Sequence, residues 1–386
     1  MTDQEGNFID FLIVDDAACI PPLVRAVLKG YGYTSFRFAS NGQEALRIFR
    51  KSRVKCIIAD YCMPQLSGIE LLHAIRNDPE RFTTPFVMLT GNSTPEAVVY
   101  ALEEGVDGYV VKPFTAKNLL SSVNNAIARR SKLDPFQKKV IEVTRLKLQK
   151  RYKDALDLGN EVLKEKPDAD VLLSIGECLD ATGRSAEAIE ILQGPELAKR
   201  HARAKSLLGK IYLEQGDDKR AIACFEEAAE ASPLSLDKKV DLAGAYLKSK
   251  LNEEAEALID SIMKSDPTNL VVTSIGRLYL ENGDLEKASL YLKVQAVPTA
   301  DTVHIFNNYA VSLRRGGRCA ECEEVYKRCA DILPDSYIVQ FNMGVLYLQM
   351  KDHVRARRAM EKALKLNPDL RPARECLESL GCTSMS

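Results

Sequence analysis

Residues 56–64 read Cys56-Ile57-Ile58-Ala59-Asp60-Tyr61-Cys62-Met63-Pro64, a short apolar run stopped by a carboxylate. Such a run, bounded by polar and turn residues, is the pattern of a strand buried on both faces. Working outward, similar runs occur at Asp10–Asp15, Ser35–Ala39, Pro85–Thr90 and Gly108–Lys112. Amphipathic stretches separate them, at Asn41–Lys51, Gly68–Arg76 and Thr94–Glu104, the last opened by Ser93 and Glu96 at capping-box spacing. A final helix is expected over Thr115–Arg130. Five βα units in succession predict an α/β, doubly wound, five-stranded parallel sheet, in which ligands gather beyond the carboxyl ends of the strands.

Those ends carry the chemistry. Asp15 and Asp16 close the first strand, Asp60 the third, Thr90 the fourth and Lys112 the fifth. Carboxylates crowded at one sheet edge repel unless a cation lies among them, and Mg²⁺ suits one or two carboxylates with phosphate oxygens and water. A hydroxyl donor and a fixed ammonium complete the equipment for phosphoryl transfer, where positioning and charge neutralisation supply most of the catalysis.

The motifs Val14-Asp15-Asp16, Ile57–Pro64, Ser67-Gly68, Leu89-Thr90-Gly91 and Val111-Lys112-Pro113-Phe114 make residues 8–130 similar to a response-regulator receiver domain, which has a flavodoxin-like fold. The resemblance implies that Asp60 accepts a phosphoryl group from the phosphohistidine of a sensor histidine kinase or from a phosphotransfer protein. It implies Mg²⁺ ligation by Asp16 and Asp60, by Asp15 through water, and by the main-chain carbonyl of Cys62. Lys112 would pair with phosphoryl oxygens. Thr90 and Tyr109 would act as switch residues, altering the face built from the fourth helical stretch, the fifth strand and the last helix. Gly91 stands where that family usually has alanine, which is expected to loosen the loop.

Beyond Asp134-Pro135, a cap followed by a first-turn proline, the strand pattern stops and helical periodicity begins. The frame Gly209, Tyr212, Ala221, Phe225, Ala228, Pro233 recurs as Gly344, Tyr347, Ala356, Met360, Ala363, Pro368. Partial copies start at Gly176, Ala243, Gly276 and Ala310, and a weak first copy runs Val143, Leu146, Ala155, Val162, Pro167. This is similar to the tetratricopeptide repeat, and implies an all-α solenoid of about seven repeats over residues 134–386, closed by a capping helix after Arg371. Residues 1–133 form the other expected domain. Gly194-Pro195 and Pro298 break the frame. By repeat spacing Arg203, Lys210, Thr273, Arg277, Asn307 and Arg314 would line the peptide-binding face, where arginine forks suit an acidic ligand or terminal carboxylate.

Charge excludes a phosphate-backbone binder. Basic and acidic residues number 15 and 14 up to residue 133, and 38 and 40 beyond it. Met1–Asn7 is polar and acidic, and no apolar run approaches the ~18 residues of a membrane span. A cytoplasmic address and reduced thiols for the ten cysteines follow. Cys319, Cys322 and Cys329, with His304 nearby, raise a zinc site, yet Cys322 and Cys329 fall on packing positions of the repeat. His73, His201 and His353 have no acidic or cysteine partner at ligand spacing and read as surface or packing residues.

The chain therefore reads as a phosphorylation-controlled signalling adaptor. It is not an enzyme beyond Mg-dependent self-phosphorylation and dephosphorylation, and a protein or peptide binds the repeats as output. A homodimer through the receiver is left open. The rival reading is a constitutive scaffold in which the receiver only docks.

Overall fold

A computed structural model describes residues 8–382, apart from 64–65, 92–93, 95–99, 103, 266–268 and 300–301. The expected capping box at Ser93 and Glu96, and most of the helix it would open, lie outside the described residues. By packing, the chain divides into two compact units, residues 1–268 and 269–386.

The first unit opens with a five-stranded sheet built from β1 (Phe8–Val14), β2 (Phe36–Ala39), β3 (Arg53–Asp60), β4 (Phe86–Thr90) and β5 (Gly108–Val111). All neighbours are parallel and the order is β2-β1-β3-β4-β5. Strand side chains alternate between two apolar layers, as a period of two requires. Leu12, Val14, Ile57, Ala59, Phe86 and Met88 face α2 (Gly42–Lys51) and α3 (Gly68–Arg76). Phe11, Ile13, Cys56, Ile58, Val87 and Leu89 face α1 (Ile20–Lys29) and α4 (Ala116–Ser131). Because both faces are covered at the centre of the sheet, β4 and the part of β3 from Cys56 onward carry no polar residue until they end, whereas the edge strand β2 keeps Arg37 exposed. The helices begin where the sequence provides a cap: Asn41 accepts from the Glu44 amide, Thr115 from Asn118, and Ser67 with Glu70 forms a full capping box.

The helical part of this unit starts at α5 (Pro135–Leu148), with Asp134 and Gln137 forming the cap. Helical hairpins follow: α5 with α6 (Tyr152–Glu165), α7 (Ala169–Ala181) with α8 (Ser185–Leu192), α9 (His201–Glu214) with α10 (Asp218–Ala231), and α11 (Leu236–Lys248) with α12 (Asn252–Lys264). Gly194-Pro195 acts as expected: α8 stops at Leu192 and a 3₁₀ turn spans Pro195–Arg200. The second unit continues with α13 (Asn269–Glu281), α14 (Leu285–Ser289), α15 (Val303–Arg315), α16 (Cys319–Ile332), α17 (Tyr337–Gln349), α18 (His353–Leu366) and the capping helix α19 (Arg371–Cys382). Ahead of Pro298, α14 loosens into a π-helical turn over Leu290–Gln295.

The repeat frame has a steric meaning. A methyl added to Gly209 would lie 2.8 Å from the Phe225 ring, and Gly176, Gly276 and Gly344 meet Leu192, Leu292 and Met360 in the same way, each sixteen residues on. Each glycine thus lets the two helices of a hairpin touch. The turn inside each hairpin is left-handed at Lys150, Gly183, Gly216, Lys250, Gly283, Gly317 and Lys351, again 33 or 34 residues apart. Glycine adopts that conformation freely, whereas the three lysines take it at a cost of about 1–2 kcal/mol each.

Candidate functional site

Four strand ends converge at one edge of the sheet. Asp60 ends β3 opposite Leu89 of β4, one residue past Ala59, which lies between Val14 of β1 and Met88 of β4. Asp15 follows β1, Thr90 ends β4 and Lys112 follows β5. Asp60 is 7% exposed, Asp15 and Thr90 are buried, and Asp16 lies in the open. Carboxylate oxygens of Asp15, Asp16 and Asp60 lie within 4.8 Å of one another, and this is the one such acidic or thiol cluster among the described residues. The Lys112 ammonium bridges two of them, at 2.7 Å from Asp15 and 2.6 Å from Asp60. Three carboxylates and one ammonium leave two negative charges, which a hard divalent cation balances.

Asp60 and Lys112 feel that crowding. Burial pushes the Asp60 carboxyl above its ordinary value; Lys112 opposes the rise, and Asp15 and Asp16 add to it. Burial works against the Lys112 ammonium, but its bonds to Asp15 and Asp60 outweigh that and raise its pKa. The ammonium form of Lys112 is thus favoured, while the ionised form of Asp60 remains disfavoured. The second Asp15 oxygen accepts from the Ala17 amide at 2.9 Å, which fixes the carboxylate over the turn after β1.

Tyr109, on β5, is hydrogen-bonded to the Thr90 side chain and packs against the apolar layer under α2 and α3. Cys62 lies two residues past Asp60 with its side chain exposed. Beyond β3 the chain turns back so that Gly68 donates to the Tyr61 carbonyl at 3.0 Å. A Cβ at Gly68 would lie 2.1 Å from the Asp60 carbonyl oxygen, a backbone atom that cannot step aside. Gly68→Ala is therefore expected to cost about 1–3 kcal/mol, as overpacking does. A thermal midpoint equal to that of the parent chain would refute it. Gly91 is different: an added methyl there meets nothing within 4 Å, so the loop does not require glycine for space.

The residues expected on the repeat face have partners already. In the first unit Arg203 lies 3.9 Å from Glu177 and Lys210 lies 3.0 Å from Asp241. In the second, Arg277 pairs with Glu281, Arg314 donates to Gln349 at 3.1 Å, and Asn307 bonds to Asn342. Thr273 corrects the expectation: it is fully buried and donates to the Asn269 carbonyl, so it faces no groove. Cys322 and Cys329 are buried along α16, as their packing positions predict. His73 also departs from its reading, since it meets Glu104 at 2.7 Å and lies 3.8 Å from Asp237. Asp107 was missed altogether. It accepts from Arg76, Arg130 and the Phe86 amide at 2.7–2.9 Å, and no local spacing announces it.

The response regulator receiver domain family matches residues 11–124, and tetratricopeptide repeat families match residues 146–211, 212–275 and 337–370. Over 118 residues, 31% of this chain, the sequence is 35% identical to chemotaxis protein CheY-3 of Vibrio cholerae and covers 91% of it. The chain belongs to the response-regulator family. Its receiver is also 33% identical to chemotaxis protein CheY of Pseudomonas aeruginosa, again over 118 residues and covering 95% of that protein. Among solved structures it is similar to the chemotaxis response regulator CheY4 of Vibrio cholerae, at 33% identity and a TM-score of 0.29, covering 31% of this chain and 99% of that one. In sequence order the receiver comes first and the tetratricopeptide repeats follow. Among the described residues no helix is long and apolar enough to cross a membrane.

Proposed function

We propose that the chain is a phosphorylation-controlled signalling adaptor of a two-component system, acting in the cytoplasm. Residues 1–133 form the receiver module and residues 134–386 the repeat module. A carboxylate of Asp60 attacks the phosphorus of a phosphohistidine on a sensor kinase or phosphotransfer protein. The new bond is an acyl phosphate, and the P–N bond breaks to return the imidazole. The reading rests on one observation: Asp60 sits nearly buried among two further carboxylates with the Lys112 ammonium 2.6 Å away.

The donor set fits Mg²⁺, all oxygen and doubly negative in sum, with Asp16 and Asp60 as direct ligands, Asp15 behind water and the Cys62 carbonyl completing the protein side. Bound there, the ion supplies charge neutralisation for an incoming phosphoryl dianion. Lys112 turns from its two carboxylates to the phosphoryl oxygens. Thr90 gives up Tyr109 to donate to the same group. Receiver chemistry ends with self-dephosphorylation of Asp60, and the chain is otherwise no enzyme.

The repeats bind a protein or peptide as output. Arg203 and Lys210 in the first unit offer contacts for one acidic ligand, and separately Arg277, Asn307 and Arg314 in the second unit offer contacts for another, each displacing their internal partners. A tenfold change in partner affinity requires ~1.4 kcal/mol of difference between the two receiver states. The test is label uptake from acetyl phosphate with Mg²⁺, repeated in excess EDTA, alongside affinity capture with and without beryllofluoride. Uptake that vanishes with EDTA, and a captured set that changes with beryllofluoride, support the adaptor. Normal capture with no uptake leaves the constitutive scaffold.

A further inference from the structure

Within the first unit, the edge of the receiver distant in sequence from Asp60 meets the start of α11. Residues 100–102 are helical and include Tyr100, Glu104 lies in a turn, and α3 carries His73. Glu104 accepts from His73 with one oxygen at 2.7 Å, and its other oxygen lies 3.4 Å from the Lys238 ammonium. Lys238 also reaches the Ser235 hydroxyl at 3.2 Å, and its side chain is only 9% exposed. Lysine is almost never buried to that degree unless paired. Tyr100 is buried and hydrogen-bonded to the side chain of Ser235, which is itself fully buried and caps α11. Asp237 adds its carboxylate 3.8 Å from the other nitrogen of His73. Charges therefore alternate across the contact.

We propose that His73, Tyr100 and Glu104 form a docking face for the Ser235–Lys238 turn of the same chain, and that phosphorylation of Asp60 releases that turn. The proposal rests on the Asp60 reading above and names how that site is coupled to the repeats.

Electrostatics favour the closed contact. Burial alone would lower the His73 pKa, but the bond to Glu104 and the charges of Glu104, Asp237 and Glu70 raise it above its ordinary value. Burial alone would raise Glu104; His73 and Lys238 instead hold it down to about 2. Both shifts favour the ionised pair. The turn carrying Glu104 is also fixed from below, since Arg76 donates twice to the Gly105 carbonyl, at 3.1 and 2.8 Å, and once to Asp107.

A route connects this face to the phosphoryl site. Tyr100, Ala101 and Val106 belong to the apolar layer against which Tyr109 packs, and Tyr109 is bonded to Thr90. The closed contact coexists with Lys112 bridging Asp15 and Asp60, which is the bonding of an unmodified carboxylate. When Thr90 turns to a phosphoryl oxygen, its bond to Tyr109 breaks. A close-packed layer answers by switching arrangement instead of yielding gradually, and Tyr100 is part of what it rearranges.

The experiment is hydrogen–deuterium exchange on the full chain, read at peptides covering 100–107 and 235–248, with and without beryllofluoride and Mg²⁺. Exchange at both peptides is expected to rise about tenfold with the mimic. In the absence of the mimic, Glu104→Lys and Lys238→Glu should each reproduce that rise, and the double swap should restore protection, which also shows that the variants fold. Phosphoryl uptake is measured on the same samples. Uptake with unchanged protection overturns the release and leaves the Asp60 reading standing. No uptake sinks that reading, and the release with it. Single swaps that leave exchange at the parent level overturn the docking face itself.

Discussion

Asp60→Asn is expected to reduce phosphoryl uptake from acetyl phosphate to background, a fall of about 10²-fold or more, as loss of a reacting group does. The amide matches the carboxylate in shape but has no charge to attack with, and no other carboxylate is equivalent. Asp15 is buried with one oxygen on Lys112 and the other on the Ala17 amide, while Asp16 lies exposed outside the strand. The same substitution should stabilise the fold at neutral pH. Burial and two neighbouring carboxylates raise the Asp60 pKa, so its ionised form is the disfavoured one in the folded chain. An acid with a raised folded pKa weakens the fold once pH exceeds its ordinary value, and the amide removes that penalty. A phosphorylated asparagine variant, or one with a lowered thermal midpoint, would contradict this account of the site.

Asp107→Ala is expected to give the largest loss of stability in the receiver, about 3–5 kcal/mol, the usual cost of leaving a buried charge without its counter-ion. The Asp107 side chain holds Arg76 at 2.8 Å, Arg130 at 2.7 Å and the Phe86 amide at 2.9 Å, tying α3, α4 and β4 to the entry of β5. Without it, two guanidinium groups face each other, and a buried amide loses its acceptor. Burial already lowers the Arg76 pKa to about 10 despite the support of Asp107. A urea titration followed by hydrogen exchange at β4 and β5 measures the change. A loss under about 1 kcal/mol would show that water or rearrangement replaces the carboxylate.

Much of this architecture is legible because it is written locally. The five strands appear within two or three residues of their expected places, since burial on both faces forces an apolar run that stops where the sheet does. Asp134-Pro135 and Arg371 mark helix starts because a cap or a first turn involves only its own neighbours. The repeats are legible for the same reason: a glycine and the side chain it admits are always sixteen residues apart. Thr273 shows the limit of spacing. Its position in the frame suggested an exposed face, but its hydroxyl turns to its own helix, and the side chain is buried.

The sequence by itself determined which side chains stand at the carboxyl edge of the sheet and how often the helical hairpins return. Only the tertiary structure decided their bonding. It set Lys112 across Asp15 and Asp60, gathered Arg76 and Arg130 on Asp107, and brought Glu104 to His73 and Lys238, 31 and 134 residues away. Periodicity and capping arise from contacts a few residues apart and leave a repeating trace. A charge pair closed across long connections leaves none, because any complementary residue at either end would satisfy the same local pattern.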